Sequence, residues 1–307
     1  MKKLALASVA ASFVICSGLP TPAMSVEPVD YVRVVGWGGL YAGGYFGAGQ
    51  GDVRTTFDDW STFTSRDVNQ GLNFTNTFTN STMDWGWGSG SGNIAGAQAD
   101  LFFGYNLPVG RRFMVGLQAE GTPWSTYTLD TDGRRDAKSE TVNTNTNATT
   151  TTDRRTGTSS SSINFSDDLE SMVGLVGRAG VLVLDDQLYL YGIGGVVWGN
   201  FTLNDVAGLG GLDRQILNDR QVWEAGHTLG FGGELKLWDH VSIRGEYRFY
   251  HWEYNRKQTS WTTQTNNFTN SSSTSTSDFA RNWSNDVDLH TGKIGFAVQL
   301  CGLVGRC

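Results

Sequence analysis

Cysteine, proline and histidine are all scarce in this chain, and a long apolar run is missing from everything after its first segment. Three cysteines exclude a disulfide framework. Cys16 falls in a leader-like stretch, which leaves Cys301 and Cys307 at the C-terminal end. An oxidising compartment would permit one local bridge between those two. No run of about eighteen apolar residues follows the leader, so no transmembrane helix is expected. Basic residues are outnumbered, with a formal net charge of -7, which argues against a nucleic-acid partner. Histidine occurs only at 227, 240, 251 and 290. No metal-ligand spacing, phosphate-binding glycine loop or redox pair stands out, so no cofactor is expected. Hydrophobic residues make up 39%, too little for one large packed core.

What is abundant points to exported β-structure. Met1-Lys2-Lys3 is a short basic region, residues 4–15 are apolar, and Ala23-Met24-Ser25 offers a small-x-small cleavage site. This pattern is that of a secretory signal peptide over residues 1–25, cut before Val26, with residues 26–307 as the mature protein. Glycine (40), tryptophan (11) and phenylalanine (16) are plentiful in the whole chain, against only 5 prolines.

Read for period two, the chain resolves into eight candidate strands. One of them is SIRGEYRFYHWEY, residues 242–254, in which Arg244, Glu246 and Arg248 share one face and Ile243, Gly245, Tyr247 and Phe249 the other. Another, residues 93–106, sets Ala95, Ala97, Ala99, Leu101, Phe103 and Tyr105 opposite Gly96, Gln98, Asp100, Phe102 and Gly104. The facing of the first, glycine-rich strand (38–49) is ambiguous.

The connections alternate in length. NLPVGRR, DDQ and Trp238-Asp239-His240 are tight, whereas about 52–92, 122–168, 204–220 and 255–285 are far longer than ordinary loops. Short and long connections in alternation describe an eight-stranded antiparallel up-and-down transmembrane β-barrel with tight periplasmic turns and long extracellular loops. The expected location is the cell outer membrane, reached through the periplasm. A soluble sandwich is the alternative, but it leaves Arg, Glu and Lys on the small-residue face of five strands unexplained.

In a membrane barrel apolar side chains face lipid and polar ones face inward. Glu120, Arg178, Glu234, Arg244, Glu246, Arg248 and Lys293 are therefore expected to line the interior, with Asp100 beside them. Eight strands leave an interior just wide enough to be filled by side chains. A paired network then forms a plug, or, if the pairs exchange partners, a gate for ions or small solutes. Tyr105, Phe113 and Tyr189 at the short-turn end, and Phe201, Trp223 and Phe249 at the other, are expected as interfacial girdles.

The long connections are low in complexity: NFTNTFTNST at 73–82, NTNTNATTTT at 143–152 and NNFTNSSSTSTS at 266–277. Their threonine and phenylalanine content favours extended ribbons that continue the barrel wall. Their small apolar content equally suits disorder.

The segments WGGLYAGGYFGAGQG (37–51), VGLQAEG (115–121), LVGRAGV (175–181), YLYGIGGVVWG (189–199) and SIRGEYRFY (242–250) resemble motifs of the small outer-membrane immunogenic proteins, a porin family with OmpA-like eight-stranded barrels. The resemblance implies an abundant surface protein with envelope-stabilising, antigenic or weak porin roles. It covers the strands and not the long loops. The chain departs from it in running past Leu300 into CGLVGRC, where such barrels finish on an aromatic residue.

The functional expectation is a non-enzymatic outer-membrane barrel, structural or weakly pore-forming, in contact with outer-membrane lipid and lipopolysaccharide. The alternative is an adhesin or self-associating protein that touches a host surface or a neighbouring copy through its Thr/Asn-rich loops. A lipid-modifying enzyme would need a nucleophile and an orienting acid around a histidine. His251 and Glu253 share a strand face, but no serine stands close to them on it.

Overall fold

A computed structural model describes residues 37–71, 74–146, 150–203, 221–268 and 270–300. The leader, residues 204–220 and Cys301 with Cys307 lie outside these residues, as do the expected signal peptide, third long connection and local disulfide.

Nine strand segments form one antiparallel sheet: β1 (Gly39–Gly71), β2 (Phe74–Val109), β3 (Phe113–Ser125), β4 (Tyr127–Thr146), β5 (Thr150–Val183), β6 (Leu188–Leu203), β7 (Gln221–Trp238), β8 (Val241–Phe268) and β9 (Ser271–Gln299). The sheet closes, because β1 pairs with both β2 and β9. β3 and β4 occupy a single place in the wall, both lying between β2 and β5, so the ring has eight positions. Closure leaves no free edge in the ring, which is what a sheet needs to cross lipid.

The three tight turns fall where the sequence places them. Gly110 takes φ +73° between β2 and β3, a conformation that suits glycine. Leu184, Asp185 and Asp186 have φ of 53°, 53° and 65°, so the β5–β6 turn is left-handed without any glycine.

Alternation then sets the two surfaces of the barrel. Phe46, Leu101, Phe103, Leu117, Leu175, Leu229, Phe231, Ile294 and Phe296 are exposed on the outside. In water such an apolar belt would be an aggregation site; around a closed barrel it is the lipid-contacting band. No helix among the described residues is long and apolar enough to cross a membrane. The chain crosses with strands.

Two irregularities re-phase the wall. Near the end of β3 its register with β2 shifts at Ala99/Leu101, opposite Pro123, which has no N–H to give to a ladder. Inward residues are even-numbered before it (Gln118, Thr122) and odd-numbered after it (Tyr127, Leu129). A matching bulge between Leu169 and Ser171 moves the inward set of β5 from Ile163 and Leu169 to Met172, Val176 and Arg178. Neighbouring strands thus change phase together.

The segments expected as long surface loops at 52–92, 122–168 and 255–285 are almost entirely strand. β1 runs for 33 residues, about 110 Å at a rise of about 3.3 Å per residue. Its upper part pairs on both sides, with β2 as far as Gly71↔Phe74 and with β9 as far as Asn69↔Ser271. β2 pairs in turn with β4 up to Thr77↔Thr146, and β4 with β5 up to Thr146↔Thr150. Six strands in the order β8-β9-β1-β2-β4-β5 therefore rise past the ladders of β6 and β7, which end at Leu203 and Gln221. The ribbons are a continuous wall.

Candidate functional site: the filled lumen

The inward face carries three layers. At the turn end Trp37, Met114, Val176, Leu182, Tyr189, Tyr191 and Ile193 form an apolar cluster. Trp37 closes it by donating its indole N–H to the Asp186 carbonyl at 2.6 Å, which ties the cluster to the β5–β6 turn.

Above it lies the charged layer. Glu234 of β7 accepts from Arg178 Nη2 at 3.0 Å and from the Ser242 hydroxyl, and it forms an ion pair with Arg244, whose Nε lies 2.7 Å away. Arg248 bridges Glu120 at 2.5 Å and Glu246 at 2.7 Å. Lys293 Nζ reaches Asp100 at 2.6 Å and Tyr250 Oη at 2.5 Å. These pairs comprise four cations (Arg178, Arg244, Arg248, Lys293) and four carboxylates (Glu120, Glu234, Glu246, Asp100), so the layer sums to zero charge. All seven side chains expected in the interior are in it, and Asp100 is the eighth.

Backbone chemistry makes the room. Across the ladders Arg178 faces Gly116, Glu120 faces Gly174, Glu246 faces Gly232, Arg248 faces Gly230 and Arg244 faces Gly295. A Cβ on Gly232 would stand 2.9 Å from Glu246 Cγ, so the long side chain fills the space a second side chain would occupy.

Neutral groups finish the network. Tyr45 and Tyr191 donate to Glu246 Oε1 at 2.5 and 2.8 Å. Gln118 Oε1 accepts from Arg178 at 3.3 Å and Arg244 at 3.2 Å, while its Nε2 donates to Glu120 at 3.1 Å. Arg178 stacks 4.1 Å from the Tyr191 ring centroid, and Arg244 4.5 Å from that of Tyr41. Buried charges are tolerable only when paired and hydrogen-bonded in this way.

The third layer is apolar again: Val53, Ile94, Tyr127, Leu129, Leu169, Val197, Phe201, Trp252, Tyr254, Val287 and Leu289, with others, pack together over the charges. Two of the expected girdle residues belong to the filling. Tyr189 and Phe201 are both 0% exposed and point inward. The outward face of β6 is Leu190, Val196 and Trp198, alternating with small Gly192 and Gly194. Sequence reading assigns Tyr189 and Phe201 to the lipid interface because an aromatic near a strand end suits a girdle as well as a filled interior. Tyr105, Phe113 and Trp223 do lie outside.

Farther up, on the inner face of the wall, Asp59 pairs with Arg135 at 2.7 Å and Arg281 at 3.2 Å, joining β1, β4 and β9. Sequence reading missed this clip, because its members lie in segments taken for loops. Gly86 makes space for it: a Cβ there would stand 2.1 Å from Asp59 Oδ1.

The architecture is a closed antiparallel β-barrel with eight positions in its wall. No family model and no curated protein matches the chain. Among solved structures it is similar to the outer membrane protein OprG from Pseudomonas aeruginosa, at 14% identity over 82% of this chain and 95% of that one, with a TM-score of 0.32. It is similar to Ail, the attachment invasion locus protein of Yersinia pestis, at 9% identity over 76% and 98%, TM-score 0.22. The outer membrane protease OmpT from Escherichia coli is matched at 8% identity over 79% and 96%, TM-score 0.25.

Proposed function

We propose that the protein is a non-enzymatic, sealed outer-membrane barrel that serves as the base for a contact wall raised above the membrane. The observation that carries this reading is the filling of the lumen, where a charge-balanced layer lies between two apolar ones. Long charged side chains that fill the space beside inward glycines leave the plug, rather than the gate, as the role of the charged residues. What the barrel offers its surroundings is then its outer surface: lipid and lipopolysaccharide along the belt, and a host surface or a neighbouring copy along the wall.

The outward side of the wall supports the second part. Trp60 on β1 stands directly across from Trp85 on β2, with Trp87 and Met83 on the same face of β2, and all four are exposed. Asn93, Ser91 and Ser89 separate them from the apolar belt, so they are not part of the lipid band. Tryptophan is enriched where proteins bind one another.

The test is attachment. Cells displaying the wild-type protein are expected to bind host cells or to clump more than cells displaying Trp85→Ser/Trp87→Ser. Both forms should show the faster gel mobility of an unheated barrel. Equal attachment by two folded forms would overturn the reading.

A further inference from the structure

We infer that the outer wall carries a binding site for a zinc-like divalent metal ion, built by His251 of β8 with Asp286 and Asp288 of β9. His251 lies far from the two aspartates in sequence and meets them through register. His251 is directly opposite Asp288, and Asp286 is one outward position farther along β9. His251 Nδ1 is 2.7 Å from Asp288 Oδ1 and 3.6 Å from Asp286 Oδ1. One donor atom from each residue lies within 4.8 Å of the other two. A tetrahedral ion with bonds of about 2.0–2.2 Å sets its ligand atoms about 3.3–3.6 Å apart, a spacing His251 and Asp286 already have and that His251 and Asp288 reach by parting slightly.

A second imidazole is at hand. His227 of β7 is directly opposite His251, with the ring centroids 4.9 Å apart. Two imidazoles and two carboxylates form the mixed nitrogen–oxygen set that suits zinc and its neighbours better than calcium or magnesium.

The surrounding charge favours a cation. On β1, Asp52 faces Asp288 and Arg54 faces Asp286; on β8, Glu253 faces Asp286. Four carboxylates therefore share this outward patch with one guanidinium and the two imidazoles. Asp286 and Asp288 both turn to His251 Nδ1, so one imidazole nitrogen faces two carboxylates.

Position gives access. Phe249 precedes His251 on the outward face of β8, Leu229 follows His227 on that of β7, and polar residues begin beyond His251. The site sits where the apolar belt ends, at headgroup height. The His251, Asp286 and Asp288 side chains remain 26%, 45% and 32% accessible, so an ion can reach them. A zinc-like ion here can also take a lipid phosphate oxygen as a further ligand.

The experiment is zinc titration by calorimetry of tag-free, refolded mature protein in detergent micelles, with gel mobility confirming that each variant is folded. One saturable zinc event is expected, lost in His251→Ala and in Asp288→Asn and kept in His240→Ala at the opposite end of the barrel. Calcium should produce no comparable event. Failure of the wild type to bind zinc overturns the inference. So does zinc binding unchanged in folded His251→Ala, or calcium binding equal to that of zinc and independent of His251, which would describe an unselective acidic surface. Attachment through the wall is independent of all these outcomes.

Discussion

At the scale of single residues, the charged layer was legible because charge in a strand is costly unless it has somewhere to go. Arg244, Glu246 and Arg248 recur at every second position, and period two puts them on one face whatever the fold. Their partners on other strands, such as Glu234 for Arg244 and Glu120 for Arg248, follow from register, which no single strand contains. Tyr45, Tyr191 and Gln118 were not legible as network members. A tyrosine suits the lipid interface and the lumen equally well until a carboxylate is placed beside its hydroxyl. The residue that concentrates most of the network is Glu234, the only carboxylate shared by Arg178 and Arg244 among the described ion pairs. Replacing it with glutamine leaves two buried guanidiniums facing a neutral amide. Glu234→Gln is expected to lower stability by about 3–5 kcal/mol, the range for breaking a buried pair. Glu140→Gln, which loses the exposed pair with Arg154, should cost about 0–1 kcal/mol. Urea unfolding of each refolded protein in lipid vesicles, followed by tryptophan fluorescence, measures both. Equal small losses would mean that the charged layer does not bind the barrel together.

At the scale of elements, the sequence pattern located all the strands of the ring and their three tight turns, yet left the long connections undecided between ribbon and disorder. The reason is that a Thr/Asn/Ser strand has little apolar surface to declare itself. Its stability comes from neighbours: β1 above Asp52 is ordered between β2 and β9, each of which is ordered by the next strand. The phase change between the lower and upper wall was also hidden. A reader who follows one alternation through β5 puts Leu169 and Arg178 on opposite faces, whereas the bulge around Glu170 turns both inward. That bulge has a direct test. Deleting Glu170 removes the extra residue and restores simple alternation from Leu169 to Met172, so both parts of β5 keep their inward side chains and their register with β6. The deletion variant is therefore expected to retain the fast-migrating folded band after refolding. Loss of that band would show that the bulge itself, rather than alternation, holds the wall in phase.

At the scale of the whole molecule, one closed sheet does two jobs. Its lower part turns apolar residues outward to lipid and spends the interior on pairing and packing. Its upper part, six strands wide, extends the same ladder into the surroundings and holds itself together through pairs such as Asp59 with Arg135 and Arg281. Whether the interior is closed turns on how the layers fit together, which alternation cannot express. The apolar layer containing Phe201 and Trp252 above the charges was therefore not foreseen by a reading that gave the strands' apolar faces to lipid and the charged faces to the interior. The central claim is that this filling seals the barrel. The most direct measurement is single-channel conductance of the refolded mature protein in a planar bilayer, with Arg244→Ala beside it. The wild type is expected to be silent, and Arg244→Ala to leak, because it empties space in the charged layer. Stable openings in the wild type would contradict the seal and make the charged layer a gate.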